Sequence, residues 1–214
     1  MRIEKVFSDE RIDITNKFFI PEIFDILNSD EIYLDGGSHH GEVIERFIAN
    51  VKNKFNKIYS IEPDFNNLLI LNKTIKSLNL TSNNFKLLPF PIGDSSAEKE
   101  FAIGYGYASK LTTLDTVKSI KLEVKKIDTL DIRPTFIKLH LEGGEYNALK
   151  GAINTIIKNR PILCVTTYHN DDGVWKIPLF LKEQLKNYKF IYRLHSWCGT
   201  GAILYAIPNE RIKK

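Results

Sequence analysis

Leu34-Asp35-Gly36-Gly37-Ser38-His39-His40-Gly41 follows the apolar pair Ile32-Tyr33 and runs directly into an amphipathic pattern that starts at Glu42. An apolar run, a glycine-rich turn and then a 3.6-residue periodicity read as strand, loop and helix. The same rhythm recurs outward from this point. Strands are expected at 32–34, 57–61, 85–90, 136–141 and 162–167, and helices at 42–51, 65–78, 145–158 and 176–185. Buried β-rich runs alternating with amphipathic helices predict an α/β fold: a doubly wound, mostly parallel, Rossmann-like sheet covered on both faces. Residues 190–194 and 202–207, separated by Gly199-Thr200-Gly201, predict a closing antiparallel hairpin. Residues 95–127 break the rhythm and read as a β insertion around Gly104-Tyr105-Gly106. Residues 1–30 read as an extension carrying one amphipathic helix (Phe18, Ile23, Phe24, Leu27), a lid or edge cover, and 31–214 as the main domain.

Composition narrows the class. The 214 residues suit one domain with a full core. A net charge of +4, with lysines dispersed among carboxylates, gives little support to a nucleic-acid partner; only Arg211-Ile212-Lys213-Lys214 resembles a basic patch. No run is long enough to span a bilayer, and the opening residues lack the apolar stretch of a signal peptide. Cys164 and Cys198 form no paired motif, which fits a reducing compartment, and a cytoplasmic location is expected.

In open α/β sheets ligands bind at the carboxyl ends of the strands, near the point where strand order reverses. The loop 35–41 lies at such an end. A P-loop needs Lys then Ser or Thr after the last glycine, whereas Glu42-Val43 follows Gly41 here. A dinucleotide site needs G-x-G-x-x-G, which is absent, and tolerates Asp35 poorly beside a pyrophosphate. S-adenosylmethionine suits the loop better, because its methionine end carries an ammonium that Asp35 can hold and a carboxylate that loop N–H groups can meet. Glu62 follows Gly41 by 21 residues, at the end of the next strand, where a carboxylate can accept from both ribose hydroxyls. The expected cofactor-binding set is Asp35, Gly36, Gly37, Ser38, His39, Gly41, Glu62 and Pro63, with Pro63 ending the strand and Asp64 capping the next helix.

All five histidines (39, 40, 140, 169 and 195) fall at expected carboxyl ends of strands, which suggests a polar pocket suited to proton transfer. The candidate catalytic residues are His140, Glu142 and His169. Glu142, two residues beyond His140, can lie on the same side and share a hydrogen bond with it. Glu145 reads as a first-turn helix acid. A metal site from His140, His169, Asp171 and Asp172 lacks tight ligand spacing, so no metal is expected. Tyr105, Tyr107, Trp175 and Trp197 are candidates for an aromatic rim.

Five stretches together, Leu34–Gly41, Ile61-Glu62-Pro63-Asp64, Lys126-Ile127-Asp128-Thr129-Leu130, residues 137–145, and Leu149-Lys150-Gly151-Ala152 through Arg160-Pro161, resemble the FkbM-type methyltransferase family over about 32–207. The resemblance implies a class I fold, S-adenosylmethionine as donor and methylation of a hydroxyl on a sugar or other small-molecule acceptor. Two positions depart from the family pattern: His140 stands where Asp is usual, and His39 where Asn is frequent. The alternatives are a catalytically silent, cofactor-binding module of the same fold, an NAD-linked oxidoreductase, and a nucleic-acid methyltransferase. The second is disfavoured by the missing dinucleotide motif. The third is disfavoured by the modest charge and by the lack of an Asn/Asp-Pro-Pro-aromatic motif.

Overall fold

The computed structural model describes residues 16–106, 109–112, 118–196 and 201–212. Seven strands form one sheet: β1 (Ile32–Gly36), β2 (Lys57–Ile61), β3 (Phe85–Leu88), β6 (Phe136–Leu139), β7 (Ile162–Thr166), β8 (Tyr188–Leu194) and β9 (Ala202–Pro208), in the order β3-β2-β1-β6-β7-β9-β8. β9 alone runs opposite to the other six strands. Strand order reverses between β1 and β6, which pair in parallel with Asp35 opposite Lys138. The insertion is a separate antiparallel pair, β4 (Ala97–Ala102) with β5 (Ser119–Val124).

Side-chain alternation along the strands divides the core into two layers. Tyr33, Phe136, Cys164 and Tyr205 face α2 (Glu42–Asn50), α3 (Phe65–Ser77) and the segment Phe18–Ile23. Tyr33 stacks between Phe47 and Phe136, at centroid distances of 4.4 and 5.0 Å. On the other face Leu34, Ile137, Leu139, Leu163 and Val165 pack against α4 (Glu145–Lys150), α5 (Ile153–Asn159) and α6 (Gly173–Gln184). β6 and β7 are buried along their whole length, as strands covered on both faces must be.

Two expected helices differ from the structure. The stretch 145–158 is broken at Gly151-Ala152. The Gly151 carbonyl accepts from Asp128 N–H (2.9 Å) instead of continuing the ladder, and the Thr155 amide is taken by Asp128 Oδ1 (2.7 Å). The N-terminal helix shrinks to α1 (Pro21–Phe24), because Phe18 sits at φ 74° and Pro21 sets the first turn. Phe18 and Ile23 enter the core, whereas Phe24 is exposed. Among the described residues no helix is long and apolar enough to cross a membrane.

Candidate functional site

The reversal point between β1 and β6 carries the candidate site. Asp35 and Lys138 lie on the same sheet face, both buried, with Lys138 Nζ 2.9 Å from Asp35 Oδ1. The same ammonium donates to Gly37 O at 2.8 Å and Gly36 O at 3.3 Å, and the Phe18 ring lies beneath it. Neither Asp35 oxygen receives a hydrogen bond from the described residues. Asp35, expected to hold a ligand ammonium, thus already has an internal cation beside one of its oxygens. Lys138 had no expected role from the sequence. Its signal was a lone cation inside Phe136-Ile137-Lys138-Leu139, one strand away from a buried acid.

The glycine loop is pinned by the chain itself. Gly37 and Ser38 N–H both donate to Ile61 O (3.0 Å each), His39 N–H to Glu62 Oε2 (2.8 Å) and Gly41 N–H to Ser38 O (2.9 Å). Ser38 Oγ donates to Asp35 O and accepts from Ser60 Oγ. These four amides serve internal acceptors. Gly37 has φ +76°, and a Cβ there would lie 1.9 Å from His140 O. Only glycine lets the loop approach the end of β6 this closely. Gly36 O in turn accepts from His140 N–H at 3.0 Å.

Glu62 occupies the neighbouring strand end. Its carboxylate accepts from His39 N–H, from Asp64 N–H (2.9 Å) and from Asn67 Nδ2 (3.3 Å), linking the glycine loop to the start of α3. Burial nonetheless raises its pKa, outweighing those hydrogen bonds. Pro63 follows it. Asp64 caps α3 through Asn66 N–H (2.8 Å) and uses its other oxygen to accept from Gly104 N–H (2.8 Å) and Ser109 Oγ (2.6 Å). Asn67 also donates to Gly106 O, so the insertion folds down beside Glu62.

On the other side of the loop, the structure brings His140, Glu142 and His169 together. Glu142 Oε1 lies 3.0 Å from His140 Nε2 and 3.2 Å from His169 Nε2. His169 Nδ1 meets Glu145 Oε1 at 2.6 Å. Glu145 is a helix first-turn acid but a buried one. It also accepts from Thr166 Oγ1 (2.7 Å), Leu141 N–H (2.8 Å) and Gly143 N–H (3.0 Å), so it fixes the turn 141–143 and the His169 ring. Burial opposes charge on His169, but the flanking carboxylates of Glu142 and Glu145 prevail and hold it up at about 9. Burial pushes His140 down, aided by Lys138 and Lys17 against the pull of Glu142. Burial alone would raise Glu142, yet the two imidazoles bring it down to about 2.

Other expected members lie elsewhere. His195 Nε2 meets Tyr205 OH at 2.7 Å, and that hydroxyl accepts from Phe18 N–H, so this histidine anchors the N-terminal segment. His39 and His40 stack on each other at the start of α2. Asp172 pairs with Lys176. Tyr105 and Trp175 are exposed, on the insertion and on α6; Tyr107 and Trp197 lie outside the described residues. A cavity of about 340 Å³ between Phe19, Pro21, Phe24 and Arg46 is lined by none of the site residues.

Comparison with known proteins matches residues 35–192 to the Methyltransferase FkbM domain. A crystal structure of methyltransferase FkbM from Methylobacillus flagellatus KT superposes with TM-score 0.74 at 24% identity, over 91% of this chain and 48% of that one. The chain thus spans about half the length of that relative. A candidate rRNA methylase from Clostridium thermocellum gives TM-score 0.51 at 15% identity, covering 87% and 90% of the two chains. A candidate tRNA methyltransferase from Streptococcus pneumoniae, in complex with S-adenosyl-L-methionine, gives 0.50 at 12%, covering 86% and 69%. No curated protein matches the chain.

Proposed function

The chain belongs to the FkbM methyltransferase family, and from that premise we propose that it is an O-methyltransferase acting on a hydroxyl of a sugar, glycan or other small-molecule acceptor. The donor is S-adenosylmethionine, which supplies a methyl group already activated on a sulfonium. The residues present fit that donor. Gly37 offers a cradle that any Cβ would fill, and Glu62 presents a buried carboxylate at the strand end expected for a ribose. Asp35 and Lys138 set the loop's shape and keep its carbonyls pinned, a supporting role distinct from direct contact with the ammonium.

The observation that carries the acceptor-side reading is adjacency. His140 is hydrogen-bonded through its backbone to Gly36, while its side chain joins Glu142 and His169. Polar groups that can orient a hydroxyl and draw off its proton therefore stand against the donor loop. With the methyl already activated, most of the acceleration comes from holding the acceptor oxygen in line. His140, Glu142 and His169 do this holding, and Glu145 keeps His169 in place.

The test is a transfer assay with radiolabelled S-adenosylmethionine against hydroxyl-bearing sugars, glycans and small molecules, with structured RNA in parallel. Label transferred to a hydroxyl, and lost in His140→Ala and Glu142→Ala at unchanged S-adenosylhomocysteine affinity, is the expected result. Transfer to RNA alone overturns the acceptor class. Cofactor binding with no transfer to any acceptor favours the silent binding module.

A further inference from the structure

We infer that His140, Glu142 and His169 form a binding site for one divalent transition-metal ion of the Zn²⁺, Fe²⁺ or Co²⁺ kind. Glu142 Oε1 stands 3.0 Å from His140 Nε2 and 3.2 Å from His169 Nε2, and the three ligand atoms fall within 4.8 Å of one another. Ligands about 2.0–2.2 Å from a common ion are separated by roughly 3 Å along the edges of its coordination shell. The carboxylate-to-imidazole distances already have that size, and a small closing movement of the two rings completes the set.

The second observation is the state of His169. Its side chain is 7% exposed, and among the described residues Nε2 makes no hydrogen bond, only an ionic contact with Glu142 Oε1 at 3.2 Å. The opposite nitrogen, Nδ1, is held by Glu145 Oε1 at 2.6 Å, and Glu145 is locked by Thr166 Oγ1 and the Leu141 and Gly143 amides. A carboxylate gripping one imidazole nitrogen while the other points at a shared centre is the outer-shell arrangement that orients metal-binding histidines. Here it directs Nε2 at Glu142 and His140. The turn holding Glu142 is itself set in shape, with Glu142 at φ 50° and Gly143 at φ 104°.

The donor set selects the ion. Two imidazoles and one carboxylate suit Zn²⁺, Fe²⁺ or Co²⁺, whereas Mg²⁺ and Ca²⁺ require oxygen-rich shells. Three protein ligands leave a position open, which suits the oxygen of an incoming hydroxyl. Polarising that hydroxyl lets its proton pass to solvent as the oxygen–carbon bond forms and the carbon–sulfur pair returns to sulfur. This role rests on the methyl-transfer reading above; binding of the ion does not. Uptake of the ion releases any proton held on the ligand nitrogens.

The experiment uses the full chain, stripped with a chelator and desalted. Zn²⁺ is titrated by calorimetry, and Co²⁺ is followed by its visible d–d absorption. One equivalent of each is expected to bind, without competition from millimolar Mg²⁺. Glu142→Ala and His169→Ala are expected to abolish the site, and Glu145→Gln to weaken it by about 10–100-fold. His40→Ala, in the other histidine pair, is expected to leave uptake unchanged. Circular dichroism checks that each variant is folded, and His140→Ala is the substitute should a Glu142 or Glu145 variant fail to fold. No uptake by the wild type, equal uptake in the His140 and His169 variants, or displacement by Mg²⁺ each overturns the inference. S-adenosylhomocysteine titrated into the same samples separates the two readings: lost cofactor binding with intact ion uptake refutes methyl transfer, not the ion site.

Discussion

Lys138→Met tests the most consequential feature that the fold reveals. Asp35 is fully buried, Lys138 is 2% exposed, and each is the other's close ionic partner at 2.9 Å. Removing one member of a buried pair leaves an uncompensated charge and costs about 3–5 kcal/mol. The Gly37 carbonyl, 2.8 Å from the ammonium, loses its donor as well, for about 1 kcal/mol more. A domain of this kind has about 5–15 kcal/mol in total, so Lys138→Met is expected to leave it near the edge of unfolding at ambient temperature. Asp35→Asn should cost about 3 kcal/mol, because it likewise leaves one buried charge without its partner. The double variant Asp35→Asn/Lys138→Met removes both charges and should be more stable than the two separate losses imply, by about 2–3 kcal/mol. Urea denaturation followed by far-ultraviolet circular dichroism measures all three. Single variants within about 1 kcal/mol of wild type, or a double variant whose cost is the sum of the singles, would refute the view that this pair holds the centre of the sheet together.

Three further outcomes follow from the geometry. Gly37→Ala places a Cβ 1.9 Å from His140 O at φ +76°, so the loop must withdraw, and calorimetry should show S-adenosylhomocysteine affinity falling at least ~10-fold; a folded variant that binds normally makes the loop only a turn. Glu62→Gln should weaken the same ligand by about 1.5–3 kcal/mol, the range for a hydrogen bond to a charged acceptor. Burial raises the Glu62 pKa, so affinity in the wild type should fall with decreasing pH already above the ordinary carboxylate range, as the ionised acceptor is lost, and the variant's profile should be flatter there; parallel profiles exclude Glu62 as the ribose acceptor. Gly151→Ala brings a Cβ to 1.9 Å from Gly93 O and should lower the unfolding temperature, by about 1–3 kcal/mol of overpacking, without a specific effect on cofactor affinity; an unchanged melting curve shows that the α4–α5 joint is more pliable than its contacts indicate.

The fold was legible in the sequence because parallel strands and their covering helices write strong, local patterns. The run Lys57–Ile61 is a strand with its expected bounds, and the helices expected from Glu42 and Phe65 begin there. The break at Gly151-Ala152 was not legible. It depends on Asp128 taking an amide and offering one across a gap of more than twenty residues, which no helical periodicity records. The short α1 was hidden for a similar reason. Phe18, Ile23, Phe24 and Leu27 do recur at helical spacing, but Phe18 is bound by Tyr205 and drawn into the core by the far end of the chain.

At the site, the sequence by itself determined which chemical groups stand at the carboxyl ends of the strands: Asp35 and the glycine loop, Glu62, His140 with Glu142, and His169. Those positions follow from strand ends, and strand ends follow from local hydrophobic runs. Tertiary structure decided which of these groups compensate one another. Lys138 faces Asp35 only because β1 and β6 are adjacent in that register. Glu145 holds His169 only because β7 delivers His169 beside the first turn of α4. Both pairings join residues far apart in sequence, and a pairwise electrostatic contact depends on distances of a few ångströms that local patterns do not encode. The sequence therefore placed these groups at the strand ends, and the packing of the sheet assigned their charges to their partners.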